Sequence, residues 1–479
     1  MAPTSPRGIR AALAAGYSTR RPSHGLWRTR LTLALACAAL ACALPASAAG
    51  LVRDLQDALT HDPQWRAAQA VRDAGVEAEI QGRAGLLPQV SFSGSKGRAS
   101  TDSTVLSAQG PRESSSSYDT FNYSLQVRQP VIRPRAWAAY GQGKAQAAYA
   151  EANLRAARQD LIQRVVLAYA DWGFANAAVQ AARAQRDALA LAATAAQRSL
   201  QAGTGTRTEL ETTRARLAQA EAQVLEAEGQ VESAILGWRQ ITGRDTLRAA
   251  PVIGTGSALR LPLQPASLAD WQTAAVAANG TIEGLRHAVD AAREELRKVR
   301  ADHLPTVDLY ASRTRSQSDT DVTIGNRYDT TRFGVQLSVP IYAGGAISSQ
   351  VRQAQASLRR AESELEVARL EVMLQVERDW HMLQAARAQS QAAMQTLNAA
   401  TLSVRAARMG IPAGTATRID EIDAITQQAG ARRDLIQADA RALAAWARLL
   451  ALADQLDEPA LSQADALLSE AATPMAQMR

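Results

Sequence analysis

Cysteine is nearly absent from these 479 residues: there are two, Cys37 and Cys42, both near the N-terminus. Histidine is nearly as scarce, and beyond residue 48 only His61, His287, His303 and His381 remain, at no metal-ligand spacing such as H-E-x-x-H. There is no G-x-S-x-G and no P-loop, and Gly203-Thr204-Gly205 has Thr208 where a dinucleotide fingerprint needs its third glycine. These absences leave no catalytic constellation, so neither an enzyme nor a cofactor is expected. Aromatic residues make up 4% of the chain. Its long alanine-rich segments are therefore suited to side-by-side helix packing.

A strong charge of one sign is also missing, once the leader is set aside. Arg28 and Arg30 precede an apolar run from Leu31 to Leu44, and Ala46-Ser47-Ala48 supplies a small-residue cleavage site, the pattern of a secretory signal peptide over residues 1–48. The run is too short for a permanent membrane span. Those 48 residues hold six arginines and no acid, which leaves 47 basic against 46 acidic residues in the mature chain. A net charge of +1 gives no field to steer toward phosphates, so no nucleic acid is expected as a partner. Both cysteines leave with the leader. A disulfide scaffold is excluded, and lipidation of Cys42 is not expected because Leu40 stands one position too close for the usual lipobox.

What is present is a duplication. Arg83-Ala84-Gly85-Leu86-Leu87-Pro88-Gln89-Val90 is matched 217 residues later by Arg300-Ala301-Asp302-His303-Leu304-Pro305-Thr306-Val307. At an offset of 210, Tyr123, Leu125, Gln126, Val127 and Pro130 match Phe333, Val335, Gln336, Leu337 and Pro340; at 211, Gly203, Thr204, Thr206 and Arg207 match Gly414, Thr415, Thr417 and Arg418. So long a period indicates a doubled half-molecule rather than a solenoid. The boundaries this sets are a first repeat at 49–243, a connector at 244–267 carrying Pro251, Pro262 and Pro265, a second repeat at 268–457, and a tail at 458–479.

Each half contains period-two segments. Phe121, Tyr123, Leu125 and Val127 alternate with Asn122, Ser124, Gln126 and Arg128; Phe333, Val335 and Leu337 alternate with Gly334, Gln336 and Ser338. Segments of about ten residues with one apolar face suit tilted outer-membrane strands, the competing reading being ordinary hairpins on a soluble domain. The first set is expected to face lipid, while Asn122, Ser124, Gln126 and Gln336 face a lumen. The stretches 95–117 and 313–329 read as exposed loops. Pro88 and Pro305 mark the expected change from helix to strand, and Pro130 and Pro340 the change from strand to helix.

Ala346 to Met409 contains no glycine or proline, and Lys144 to Ala202 is interrupted only by Gly173. Shorter helices are expected at Leu51–Leu86, Glu209–Gln240, Leu268–His303 and Asp420–Leu456. Leu358, Ala361, Leu365, Ala368 and Val372 recur at heptad spacing, and a separate stripe runs through Val367, Leu370 and Leu374. Two seams imply two neighbours. A cytosolic helical bundle or a periplasmic adaptor would also carry long helices, but the duplicated strands and the leader argue against both.

Together Asp62-Pro63, Leu87-Pro88-Gln89-Val90, Gln126-Val127-Arg128-Gln129-Pro130, Gln336-Leu337-Ser338-Val339-Pro340 and Asp420-Glu421-Ile422-Asp423-Ala424 resemble the TolC family of outer-membrane channel proteins. The wording from Arg128 to Ala148 is most similar to its type I secretion branch, including channels that export an adenylate cyclase haemolysin (cyclolysin). The resemblance implies a homotrimer in the outer membrane and periplasm, with a 12-stranded β-barrel continued by an α-helical barrel. Implied partners are an inner-membrane ABC transporter, a periplasmic adaptor (membrane fusion protein) and an exported protein, with small-molecule efflux as the alternative role. It also implies a gate at the tapered periplasmic end, with Asp420, Asp423 and Glu209 as its acids and Arg418 displaced from the family's arginine position, now Ala416. Gly410 to Ala413 reads as an insertion in that turn.

Overall fold

The computed structural model describes residues 50–244, 251, 253, 256, 260–318 and 326–470; the leader and part of the connector lie outside them. Each half opens with a helix broken in two. Helices α1 (Leu51–His61) and α2 (Pro63–Ala84) meet at Asp62, whose carboxylate accepts the backbone N–H groups of Gln64 and Trp65. In the second half α5 (Leu268–Ala278) and α6 (Gly280–Arg300) meet at Asn279, which accepts those of Thr281 and Ile282. The single helices expected at 51–86 and 268–303 are thus each two. The sequence carries the reason: Asp and Asn are strong N-caps, and Pro63 sits at N1, where its missing N–H costs nothing.

Strands β1 (Gln89–Ser107), β2 (Gly110–Ile132), β3 (Thr306–Ser318) and β4 (Asn326–Ser338) form an antiparallel sheet in chain order. Most of the expected loops are strand instead. Ladder pairing between β1 and β2 continues to Ser107↔Gly110, around the turn residues Ala108 and Gln109; residues 319–325 lie outside the described residues. Both faces of this outer part are exposed, so no apolar alternation marks it although its backbone stays extended. Pro130 is also corrected: β2 continues past it to Ile132, with a register shift against β3 between the two. A residue without an N–H is accommodated at such a bulge, and the switch to helix falls at Pro134. Pro88 and Pro305 do directly precede β1 and β3, while Pro340 lies in the segment 339–345 that leads into the next helix.

Helix α3 (Pro134–Gln201) has 68 residues and α7 (Ala346–Gly410) has 65, about 100 Å each at ~1.5 Å per residue. They pair with α4 (Arg207–Thr242) and α8 (Arg418–Leu452). Gly173 does not interrupt α3. A Cβ there would stand 2.9 Å from Ile253 Cγ1 of the connector, so the glycine makes room for a strap across the helix.

The largest core lies at this waist. Leu161, Val165, Val166 and Tyr169 of α3 meet Val376 and Leu383 of α7, Leu443 and Trp446 of α8, and Ile253 and Leu261 of the connector. Trp446 donates its indole N–H to Pro262 O at 2.9 Å, and Gly256 N–H reaches the buried Asp439 carboxylate at 2.8 Å. The expected tail forms α9 (Glu458–Glu470) at least to residue 470, with Leu461, Ala464 and Leu468 in the same core. Its Asp465 accepts the Gly50 N–H at 2.9 Å, tying the residue before α1 to the far end of the chain.

Candidate functional site: membrane band and tapered end

Register fixes the faces of the sheet. Val90 lies opposite Val127 and Phe92 opposite Leu125; Val127 lies opposite Ala311; Leu309 opposes Val335, Ala311 opposes Phe333 and Val307 opposes Leu337. Phe121, Tyr123, Leu125, Val127, Phe333, Val335 and Leu337 therefore share one face with the apolar positions of β1 and β3. Phe333 is 85% exposed and Val335 65%, although both lie in a continuous apolar band. The opposite face carries Asn122, Ser124, Gln126 and Gln336, with Ser124 and Thr314 hydroxyls 3.3 Å apart. Neither β1 nor β4 has a described strand on its outer edge.

Where strands give way to helices, the sheet is tied down by charge. Asp308, 4% exposed, pairs with Arg133 at 2.9 Å and with Arg128, and Arg135 pairs with Asp302. Both ties cross between the repeats.

At the opposite end of the helices the two hairpin turns repeat each other. Gly203 has φ +75° and Gly414 +72°. Thr204 and Gly205 N–H groups bond to Ser199 O at 3.0 Å, as those of Thr415 and Ala416 bond to Gly410 O at 3.0 and 3.3 Å. The suspected insertion Gly410 to Ala413 is thus in register with Ser199 to Ala202, and the second turn has no extra residue relative to the first.

The four predicted gate residues lie in four different environments. Asp420 closes a capping box: its carboxylate accepts the N–H and hydroxyl of Thr417, each at 2.7 Å, while Asp420 N–H donates to that hydroxyl at 3.2 Å. The hydroxyl bond, followed by the backbone bond, holds this carboxyl below the usual aspartate range. Asp423 pairs instead with Arg216 of α4, joining the two repeats. Glu209 is in the first turn of α4, where Thr206 caps its N–H at 3.2 Å. Arg418 reaches Glu421 at 3.3 Å, and Arg408 reaches it at 3.1 Å. Glu421 is buried and joins α7 to α8. Sequence reasoning gave no role to Glu421, Arg408 or Arg216. The i, i+3 spacing of Arg418 and Glu421 was legible; the partners on other helices were not.

Among the described residues no cluster of His, Cys, Asp or Glu suits a metal ion, and no helix is long and apolar enough to cross a membrane. The chain is 34% identical to the alkaline protease secretion protein AprF of Pseudomonas aeruginosa over 90% of its length and 89% of that protein. It is 32% identical to the proteases secretion protein PrtF of Dickeya chrysanthemi over 87% of its length and 91% of the relative. The crystal structure of the outer membrane protein VceC from Vibrio cholerae superposes with a TM-score of 0.71 at 18% identity, covering 85% of this chain and 97% of that one, a likeness of fold. Residues 55–244 and 272–454, nearly all of both repeats, match the family described as outer membrane efflux protein, and the chain belongs to that family.

Proposed function

We propose that this chain is one subunit of a homotrimeric outer-membrane conduit of a type I secretion system. It acts as a passive channel for a protein delivered by an inner-membrane ABC transporter through a periplasmic adaptor. The observation that carries this is the apolar outward band on four strands whose sheet has two open edges, continued by helices of about 100 Å. Lipid does not tolerate unpaired strand edges, so closure comes from further copies, and three copies of four strands give the 12-stranded barrel. Val367, Leu370 and Leu374 of α7 are 52%, 58% and 46% exposed in the single chain and supply an apolar stripe for the neighbouring subunit. The secretion proteins matched along nine-tenths of the chain favour a protein passenger, of which a cyclolysin-type toxin is one example, over small-molecule efflux.

Deletion of the gene should leave an RTX-type passenger in the cell pellet while sensitivity to small toxic compounds is unchanged. Normal secretion with raised drug sensitivity would instead assign the chain to efflux. Fractionation should recover it in the outer membrane with Ala49 as its first residue by intact mass. A full-length product in the cytoplasm would end the channel reading.

A further inference from the structure

Immediately beyond the apolar band, on the same outward face and at the end away from the helices, the residue chemistry changes to cationic. In β1, Val90 and Phe92 are followed along that face by Gly94, Lys96 and Arg98; in β3, Val307, Leu309 and Ala311 are followed by Arg313 and Arg315; in β4, Phe333 is followed by Thr331, Asp329 and Arg327. The described carboxylates at this level are Asp119, opposite Arg98, and Asp329, which pairs with Arg313 at 3.1 Å. Five cations face two carboxylates, a local excess of three per chain in a molecule whose mature net charge is +1. The next acids on this face, Asp102 and Glu113, stand further out along the β1–β2 hairpin. Asp319 and Asp321 lie outside the described residues.

Five of the six described cations at this level lie on one face. On the lumen side the same stretch carries Asn122, Ser124, Thr314, Ser316 and Thr330, with Arg332 as the exception. The band gives way to the cations at a definite position on each strand. The boundary falls past Phe92 in β1 and past Phe121 in β2, but already past Ala311 in β3 and Phe333 in β4. Counted along the ladder, β1 and β2 are apolar one to three face positions further than β3 and β4.

We infer that Lys96, Arg98, Arg313, Arg315 and Arg327 form a belt that binds the phosphorylated headgroups of the outer-leaflet glycolipid. The inference rests on the proposed function, which places the helices in the periplasm and this end of the strands at the cell surface. Charge complementarity selects an anionic headgroup, and continuity with the apolar band selects a lipid over a free anion, because the acyl chains and the phosphates are bound by adjoining parts of one face. Guanidinium groups suit the purpose because their N–H forks match phosphate oxygens. In a trimer the excess is three times that of one chain, arranged around the barrel where neighbouring headgroups also repel one another.

The test uses the mature trimer in nanodiscs carrying bisphosphorylated lipid A, dephosphorylated lipid A or phosphatidylglycerol, with retained lipid read by native mass spectrometry. Bisphosphorylated lipid A should be retained at least about tenfold over its dephosphorylated form, and Lys96→Gln with Arg315→Gln and Arg327→Gln should abolish that preference. Arg332→Gln, on the lumen face, should keep it. Equal retention of the two lipid A forms by the wild type overturns the belt, and does so even if the triple variant fails to assemble. So does loss of the preference to inorganic phosphate at millimolar concentration, which would mean free-anion binding. Failure of the wild type to form conducting trimers, or failure of Ala108→Cys to be labelled from outside intact cells, would instead count against the proposed function and its orientation. A trimer that conducts and is labelled yet shows no phosphate preference defeats the belt alone.

Discussion

Asp420 accepts two hydrogen bonds from Thr417 and is exposed, so its charge both caps a helix and is free to act in the proposed gate. Because its folded pKa is depressed, the stability it contributes is present above the ordinary aspartate value and is lost as pH falls through the lower folded value. The melting difference between wild type and Asp420→Asn should thus be constant above about pH 5 and close below about 3.9, as followed by circular dichroism. Thr417→Ala removes the reciprocal cap and should cost about 1 kcal/mol. In the proposed gate, Asp420→Asn with Asp423→Asn should abolish cation preference and trivalent block in single-channel recordings; unchanged selectivity would leave the carboxylates as helix-start residues only. Arg216 is a different test. Its ion pair with Asp423 is largely solvent-exposed, so Arg216→Ala should alter stability by less than about 1 kcal/mol. The same substitution removes one tie between α4 and α8 and, in the proposed gate, should raise conductance. Unchanged conductance would show that the pair does not restrain the opening.

At the scale of elements, the proposed barrel has the sheet separate lipid from lumen residue by residue. Arginine at Leu125 places a charge in the apolar band and should cost about 2–4 kcal/mol near mid-bilayer, whereas arginine at Gln126 should assemble normally. Trimer yield on mild electrophoresis compares the two, and equal yield would refute the assigned faces. The waist poses another question of elements. Asp439 accepts Ser390 Oγ at 2.7 Å and Gly256 N–H at 2.8 Å, tying α8 to α7 and to the connector. Asp439→Ala leaves those donors without this acceptor and should lower stability by about 1–3 kcal/mol in denaturant titration.

For the whole molecule, the proposed trimer accounts for the exposed stripe of α7 and the open strand edges in the same way, by a neighbouring copy. Serine at Val367, Leu370 and Leu374 should weaken the trimer while leaving the single-chain waist intact, since none of the three belongs to that core. Sedimentation in detergent would show the shift toward smaller species. A variant that remains fully trimeric would move the subunit contact elsewhere on the helices.

The duplication, the four strands, the long helices and the family were legible because each is a local pattern repeated over many residues: period two, heptad spacing and a fixed offset. Ala346–Gly410 was foreseen to within a residue because nothing in that run interrupts helix propensity. The outer hairpin was not, because alternation reports burial of one face, and a strand exposed on both faces has none. Pro130 misled for a related reason: proline marks a missing N–H, and only the ladder tells whether a bulge or a helix start absorbs it. Helix α9 carries its own apolar positions, but its tie to the start of α1 depends on Asp465 meeting Gly50 across the whole length of the chain. The tapered end divides in the same way. Resemblance to the family's motif pointed to Asp420, Asp423, Glu209 and Arg418. Tertiary structure decided that Glu421 is the buried acid and Arg216 the partner of Asp423, because ion pairs between helices follow from packing and not from separation along the chain.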